Sequence, residues 1–148
     1  QENPANILSV EYNISFETNH AIINGKCDRI DFNDNNFSIY DYKTSKTFKT
    51  SASLKKDIQL GIYAYFLYKI GIERRGSNIK SNPHKVSMIY LRREIPEVST
   101  SFTEQELDNI KEKLDETAKN IKQNEFSPCV GMHCEWCDYK DLICPEYG

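Results

Sequence analysis

A short polar segment between two strand-like runs constrains the fold more than any other feature of the sequence. Residues 21–30 and 37–43 are rich in Ile, Tyr and Phe, and Asn33-Asp34-Asn35-Asn36 lies between them. This pattern predicts two antiparallel strands joined by a polar turn. Residues 7–16 and 86–92 have the same composition and are predicted as further strands.

The register of this hairpin brings acidic residues together. A turn at residues 33–36 sets Asp28 opposite Asp41, and directly opposed side chains lie only about 4.5–5.5 Å apart at Cβ, where like charges are destabilising. Side chains alternate along a strand, so Lys43 shares a face with Asp41. A cation such as Mg²⁺ would relieve the repulsion, because it prefers carboxylate oxygens and keeps waters that can act as nucleophiles. The plainer alternative is a surface ion pair of Asp41 with Lys43.

Two helices are predicted after the strands. The first covers residues 54–70, with Ser51 or Ser53 as its cap, and the second begins at the capping box Thr103-Glu104-Gln105-Glu106. Gln59 and Tyr63 are spaced i, i+4, so they share one face of the first helix. The strands and helices together predict an α/β fold.

Charge is distributed unevenly along the chain. The 148 residues carry a formal charge of −3, yet residues 43–93 hold eight Lys and four Arg against one Asp and one Glu. This basic stretch is either a solvated surface or a local field for a polyanion such as nucleic acid. Residues 71–85 lie within it and are predicted to form a mobile basic loop.

The chain is predicted to be a single domain over residues 1–148, with a core at 7–123 and a cysteine-bearing tail at 124–148. No linker, repeat, signal peptide or apolar run of membrane-spanning length is present in the sequence, which predicts a cytoplasmic protein without a membrane partner. The chain begins with Gln1, so we expect it to be a piece of a longer protein.

Three motifs stand in order along the chain: Gly25-Lys26-Cys27-Asp28-Arg29-Ile30-Asp31, Asp41-Tyr42-Lys43-Thr44 and Gln59-Leu60-Gly61-Ile62-Tyr63. In order and spacing they resemble the motifs of RecB-type nucleases of the PD-(D/E)XK superfamily. Glu11 also resembles the acidic residue that precedes the nuclease motifs in this group. The resemblance covers residues 7 to 145.

The resemblance implies a restriction-endonuclease-like core, in which a mixed central sheet is flanked by helices, followed by a cysteine-rich C-terminal tail. It implies an Mg²⁺- or Mn²⁺-dependent deoxyribonuclease that hydrolyses phosphodiester bonds in recombination, repair or end processing. The implied partners are single-stranded DNA or duplex ends and a helicase domain or subunit. Whether such an enzyme digests DNA from an end or internally does not follow from these motifs.

The resemblance also assigns roles to individual residues. The implied site residues are Asp28, Asp41, the Tyr42 carbonyl, Lys43, Gln59 and Tyr63. The two aspartates and the carbonyl would hold the metal, and Lys43 would act on the water and the phosphate. Gln59 and Tyr63 would brace the lysine and the DNA backbone.

Four cysteines are concentrated near the C-terminus, at Cys129, Cys134, Cys137 and Cys144. The close pair Cys134-Glu135-Trp136-Cys137 is typical of zinc sites and of iron-sulfur clusters, and the outer two cysteines could complete a four-thiolate shell. The tail resembles that of RecB-type nucleases with a 4Fe–4S cluster, such as AddB and the CRISPR adaptation nucleases. In those relatives one ligand lies upstream of the core, so here either Cys129 replaces it or the cluster is incomplete. Zn²⁺ is the alternative metal.

A noncatalytic nucleic-acid-binding module with a zinc-binding tail is the alternative function. Such a module would use the basic stretch to bind phosphates. Paired carboxylates beside a phosphate groove would repel that ligand unless a metal were bound, so Asp28, Asp41 and Lys43 favour the nuclease.

Overall fold

The computed structural model describes residues 7–94 and 96–147. Residues 1–6 and 148, which fall within the expected domain and its tail, lie outside the described residues. The strands are β1 (Ile7–Glu17), β2 (Ile22–Asn33), β3 (Asn36–Lys43), β4 (Ile72–Arg74), β5 (Ser77–Ile79), β6 (Lys85–Tyr90) and β7 (Glu97–Thr100). The helices are α1 (Ser51–Leu54), α2 (Ile58–Tyr65), a π-helical turn (Phe66–Ile70), α3 (Glu104–Lys122) and a 3₁₀ turn (Met132–Trp136).

A five-stranded mixed sheet, in the order β1-β2-β3-β6-β7, forms the centre of the fold. The pairing of β3 with β6 is parallel, and the other pairings in this sheet are antiparallel. Helix α2 contacts both β3 and α3, so the helices lie against the sheet. The predicted α/β fold class, with a mixed central sheet and helices, is therefore confirmed, but the cysteines of the tail are not gathered into a cluster.

The β2–β3 hairpin has the predicted register and a shorter turn than predicted. Phe32 is paired with Phe37, and their ring centroids are 4.8 Å apart. The turn itself is only Asp34 and Asn35, which have φ values of 48° and 62°. Positive φ at both central residues is the requirement of a two-residue hairpin turn, and Asp and Asn tolerate it better than most residues. The turn therefore fixes which residues face each other further along β2 and β3.

The predicted helix over residues 54–70 is wrong in detail, because the chain forms α1, a break and α2. The Thr50 hydroxyl accepts a hydrogen bond from the Ser53 N–H and caps α1, so neither Ser51 nor Ser53 is the cap. Asp57 accepts from the Leu60 N–H and caps α2. A second N-cap only seven residues after the first ends one helix and starts another.

Three further strands were not predicted. Part of the expected basic loop at 71–85 forms the β4–β5 hairpin, and β7 extends the main sheet beyond β6. By contrast, α3 begins as its sequence indicates, since the Thr103 hydroxyl accepts from the Glu106 N–H and the Glu106 side chain accepts from the Thr103 N–H.

The hydrophobic core lies between the sheet and helices α2 and α3. Its fully buried side chains include Ile14, Ile30, Phe37, Ile39, Leu54, Leu60, Leu67, Val86, Met88 and Leu107. The tail after α3 is largely exposed, with Trp136 and Leu142 among its uncovered apolar side chains. Among the residues that the structure describes, no helix is both long enough and apolar enough to span a membrane.

Candidate active site

The end of β3 places two carboxylates beside each other. The β2–β3 ladder runs from the Asn33/Asn36 pair to the Arg29/Tyr40 pair. Beyond the last pair, Asp28 Oδ2 accepts a 2.8 Å hydrogen bond from the Tyr42 N–H. The Asp28 carboxylate thus takes the place that a backbone carbonyl of β2 would have in a continued ladder. This bond holds the Asp28 carboxylate close to Asp41, whose pKa it influences.

Asp41 is a buried acid with an incompletely satisfied carboxylate. The residue is 2% exposed, and Lys43 Nζ lies 2.6 Å from its Oδ2. That contact has the distance of an ion pair without the directionality of a hydrogen bond, and within the described residues Oδ2 has no hydrogen-bond partner. Burial raises the pKa of Asp41 above its ordinary value and the charge of Asp28 raises it further, although Lys43 opposes both. A cation bound beside Asp28 and Asp41 would offset the cost of burying this charge.

The backbone of Tyr42 supplies a third oxygen on the same side of β3. Its N–H points toward Asp28, and the N–H and C=O of one strand residue face the same neighbouring strand. The carbonyl oxygen therefore faces the β2 side as well, while the Tyr42 side chain is 40% exposed. Two carboxylates and one carbonyl are hard oxygen donors of the kind that Mg²⁺ and Mn²⁺ prefer. These residues fit a divalent metal by their chemistry.

A chain of hydrogen bonds connects Lys43 to helix α2 and back to β2. Lys43 Nζ donates to Gln59 Oε1 at 3.0 Å, and Gln59 Nε2 donates to the Tyr63 hydroxyl at 2.8 Å. The Tyr63 hydroxyl donates to the Lys26 carbonyl at 2.6 Å. Burial raises the pKa of Tyr63, so the phenol stays protonated and keeps this donor. Lys43 is thus held between Asp41 and Gln59, with its ammonium group partly exposed.

Glu11 faces this region from β1 in an uncommon backbone conformation. Its φ is 49°, and it lies between the Val10/Arg29 and Tyr12/Cys27 pairs, at the level of Asp28. Its carboxylate forms a 3.0 Å ion pair with the Lys26 side chain and is largely exposed. A positive φ in a residue other than Gly costs free energy, and such residues concentrate at functional sites.

The sequence analysis did not identify a second ion pair beside the site. Lys49 is paired with Asp57, the N-cap of α2, and the negative charge of Asp57 contributes to the raised pKa of Asp41. Burial opposes ionisation of Asp57, but hydrogen bonds from Lys49 Nζ and from the Leu60 N–H hold its pKa below the ordinary value. The sequence signal for this pair is Asp57, an Asp directly before the apolar run of α2, which is a typical N-cap position.

The structure does not bring the four tail cysteines together as metal ligands. Within residues 7–94 and 96–147, no group of three or more His, Cys, Asp or Glu side chains could hold a metal ion. Cys134 Sγ instead accepts from the Gly131 N–H. As arranged here, the tail does not fit a four-thiolate site, because its ligands would have to converge on one point.

Cys27, the remaining cysteine, is a core residue. It is 0% exposed, and burial raises the pKa of its thiol to about 12. It therefore stays a neutral thiol that packs in the core, although it lies next to Asp28 in sequence.

Comparison with known proteins gives results consistent with this geometry. A family model described as the PD-(D/E)XK nuclease superfamily matches residues 1–145. Ten chains of solved structures match, among them the crystal structure of SSO0001, with 19% sequence identity and a TM-score of 0.51. That alignment covers 95% of this chain but 61% of the other, so the chain spans less than two thirds of its neighbour, and at this identity it shows the fold alone. No sequence among the curated proteins matches the chain.

Proposed function

Because the chain belongs to the PD-(D/E)XK nuclease superfamily, which implies hydrolytic nuclease activity, we propose that it is an Mg²⁺- or Mn²⁺-dependent deoxyribonuclease. The reaction is hydrolysis of phosphodiester bonds in DNA. The observation that carries the proposal is the convergence of Asp28, Asp41 and Lys43 at one end of β3, where the buried Asp41 carboxylate lies close to a second carboxylate.

In this proposal the acidic residues bind a metal ion, and the basic residue stabilises negative charge on the phosphate. Asp28, Asp41 and the Tyr42 carbonyl would hold the metal, which would lower the pKa of water and neutralise charge on the phosphate. Lys43 lies beside Asp41 and donates to charge that develops on the phosphate in the transition state. Gln59 and Tyr63 are positioning residues, because their hydrogen bonds fix the Lys43 ammonium group relative to β2.

We further propose a RecB-like role in DNA recombination, repair or end processing. The support for this role is the order and spacing of the three motifs around Asp28, Asp41 and Gln59. The proposed partners are single-stranded DNA or duplex ends and a helicase domain or subunit, and the proposed location is the cytoplasm. The basic stretch at residues 43–93 supports a polyanionic substrate.

A 4Fe–4S cluster held by the tail is a separate proposal, and it rests on cysteine spacing alone. Cys129, Cys134, Cys137 and Cys144 would have to move together to bind it, with Zn²⁺ as the alternative metal. Metal analysis and a visible absorption spectrum of freshly purified protein test it. We expect iron and broad visible absorption; a colourless, iron-free protein that contains zinc would contradict the cluster.

Cleavage assays with controlled metal content test the nuclease proposal. The purified protein is incubated with end-labelled single-stranded and double-stranded DNA in the presence of Mg²⁺, Mn²⁺ or a chelator. We expect cleavage with either metal and none with the chelator. DNA binding without cleavage under all of these conditions would instead indicate a noncatalytic binding module, and cleavage that ignores the chelator would contradict the metal mechanism.

A further inference from the structure

A cleft with both basic and aromatic side chains opens beside the candidate active site. It has a volume of about 750 Å³, and its lining includes Lys46, Phe48, Tyr90, Arg92 and Arg93. We call it the Phe48 cleft. It lies where β3 and β6 end, because Tyr90 is paired with Lys43 in the parallel ladder. None of its lining residues was a site candidate in the sequence analysis.

The Phe48 cleft adjoins the end of β3 that carries Lys43. A smaller cavity of about 280 Å³ is lined by Lys43 and Gln59. This cavity shares Ser45, Phe48 and Tyr90 with the Phe48 cleft. The Lys43 side chain and the Phe48 ring therefore line neighbouring cavities that share part of their walls.

The Phe48 ring is held in place although it is 52% exposed. The guanidinium carbon of Arg93 lies 4.2 Å from the ring centroid, and the Tyr90 ring meets it edge-on at 6.3 Å. Arg93 Nη2 donates to the Lys46 carbonyl at 2.9 Å, and the Lys49 N–H donates to the Tyr90 hydroxyl at 2.8 Å. These hydrogen bonds hold the Arg93 and Tyr90 side chains that contact the Phe48 ring. Arg93 lies over one face of the ring, and about half of Phe48 remains exposed.

The charge of the Phe48 cleft suits a phosphate backbone. Three cationic side chains, Lys46, Arg92 and Arg93, line it together with two carboxylates. One of these, Glu97, is already engaged by the Lys85 ammonium group and the Ser87 hydroxyl. With Glu97 engaged in this way, the three cationic side chains outweigh the other carboxylate, and the net positive charge of the cleft favours a polyanion.

We propose that the Phe48 cleft binds a single-stranded segment of DNA adjacent to the phosphate that is cleaved. One base stacks on the Phe48 ring, and Lys46 and Arg92 contact the flanking phosphates. A base presents its face to a side chain only when it is unstacked from its neighbours, so the ring selects unpaired nucleotides. This inference rests on the proposed nuclease function, and it adds the strand state of the substrate at that site.

Binding measurements without turnover test the cleft separately from catalysis. Fluorescence anisotropy with a labelled single-stranded oligonucleotide and a blunt duplex of the same sequence is measured in chelator, for the parent, Phe48→Ala, Phe48→Tyr and Phe126→Ala. Phe126 is the matched control, because it is an exposed Phe in the tail. We expect Phe48→Ala to weaken single-strand binding about 5- to 100-fold, and Phe48→Tyr and Phe126→Ala to bind like the parent.

The two strand states separate the possible outcomes. A loss confined to the single strand supports the stacking site, whereas an equal loss for both strand states, or unchanged binding by Phe48→Ala, overturns it. Thermal melting verifies that each variant is folded. Cleavage with Mg²⁺ is measured in parallel, so a parent that binds through Phe48 without cutting contradicts the nuclease and keeps the cleft. If the parent cleaves DNA but Phe48→Ala binds the single strand normally, the nuclease proposal stands and the cleft proposal is overturned.

Discussion

The Tyr42 N–H donates a 2.8 Å hydrogen bond to the Asp28 carboxylate at the point where the β2–β3 ladder ends. A backbone group of β3 therefore holds an acid of β2 beside Asp41. The position of the candidate site is set by strand pairing, and the charge of Asp28 is separable from its hydrogen-bonding geometry.

That separation gives a prediction for two substitutions of Asp28. In Asp28→Asn the amide oxygen can still accept from the Tyr42 N–H and the repulsion with Asp41 is removed, so we expect a melting temperature no lower than that of the parent. We expect cleavage to fall about 100-fold or more, because a metal-binding charge is lost. Asp28→Ala also removes the hydrogen bond, which costs about 1.5–3 kcal/mol of unfolding free energy. Initial cleavage rates and thermal melts measure both; equal activity of Asp28→Asn and the parent would be inconsistent with metal binding.

Lys43 and Gln59 are expected to differ in the size of their effects. Lys43→Met removes the transition-state charge and should lower the cleavage rate about 100- to 1000-fold. Gln59→Ala keeps the Lys43 charge but removes the hydrogen bonds with Lys43 and Tyr63 that orient it, so we expect a loss of about 10- to 100-fold. Lys119→Met, at an exposed position of α3 outside the basic stretch, is the control and should cleave like the parent. A larger loss for Gln59→Ala than for Lys43→Met would contradict the assigned roles.

The raised pKa of Asp41 predicts a pH-dependent effect on stability. Burial is the main cause of the rise, so the ionised carboxylate lowers the free energy of unfolding at neutral pH. This destabilisation is relieved as the pH falls through the folded-state pKa, because the carboxyl group becomes protonated. Asp41→Asn removes the charge and should raise the melting temperature at about pH 7, with a difference from the parent that shrinks toward about pH 4. A lower melting temperature of Asp41→Asn at neutral pH would show that the charge stabilises the fold.

The packing of α2 on α3 predicts coupling between Gly61 and Ile110. A methyl group at Gly61 would lie 2.3 Å from Ile110 Cδ1, so Gly61→Ala should destabilise the protein by about 1–3 kcal/mol despite the better helix propensity of Ala. Ile110→Val removes that Cδ1 atom and should partly rescue Gly61→Ala. Urea unfolding of both single variants and the double variant forms a cycle, and additive effects would rule out the contact.

The sequence predicts those parts of the fold that local signals specify. The Asp34-Asn35 turn sets the β2–β3 register, and the Thr103/Glu106 capping box starts α3. Once that register is known, the closeness of Asp28 and Asp41 follows, because alternation places both on one side of the hairpin. Helical spacing alone predicts that Gln59 and Tyr63 share a face of the helix, but it does not predict the hydrogen bond between Gln59 and Lys43.

Other features depend on contacts between distant segments, and a single sequence carries little signal for them. Arg93 covers Phe48 from a segment after β6, so neither residue indicates the Phe48 cleft on its own. Strand β7 is short and exposed and gains its pairing only from β6. The break before α2 depends on the Lys49 side chain and the Leu60 N–H sharing the Asp57 carboxylate, which helical periodicity does not encode.

In the proposed function Asp41 would be a ligand of the metal ion on which DNA cleavage depends, and a comparison with Asp34 tests this role. Asp41→Asn and Asp34→Asn remove the same charge from the same hairpin, but Asp34 lies in the exposed turn, at a positive φ that Asn tolerates. The measurement is the initial rate of DNA cleavage in Mg²⁺ for both variants and the parent, with folding verified by circular dichroism. We expect parental rates for Asp34→Asn and no detectable cleavage for Asp41→Asn. Parental cleavage by a folded Asp41→Asn protein would contradict the role of Asp41 as a metal ligand.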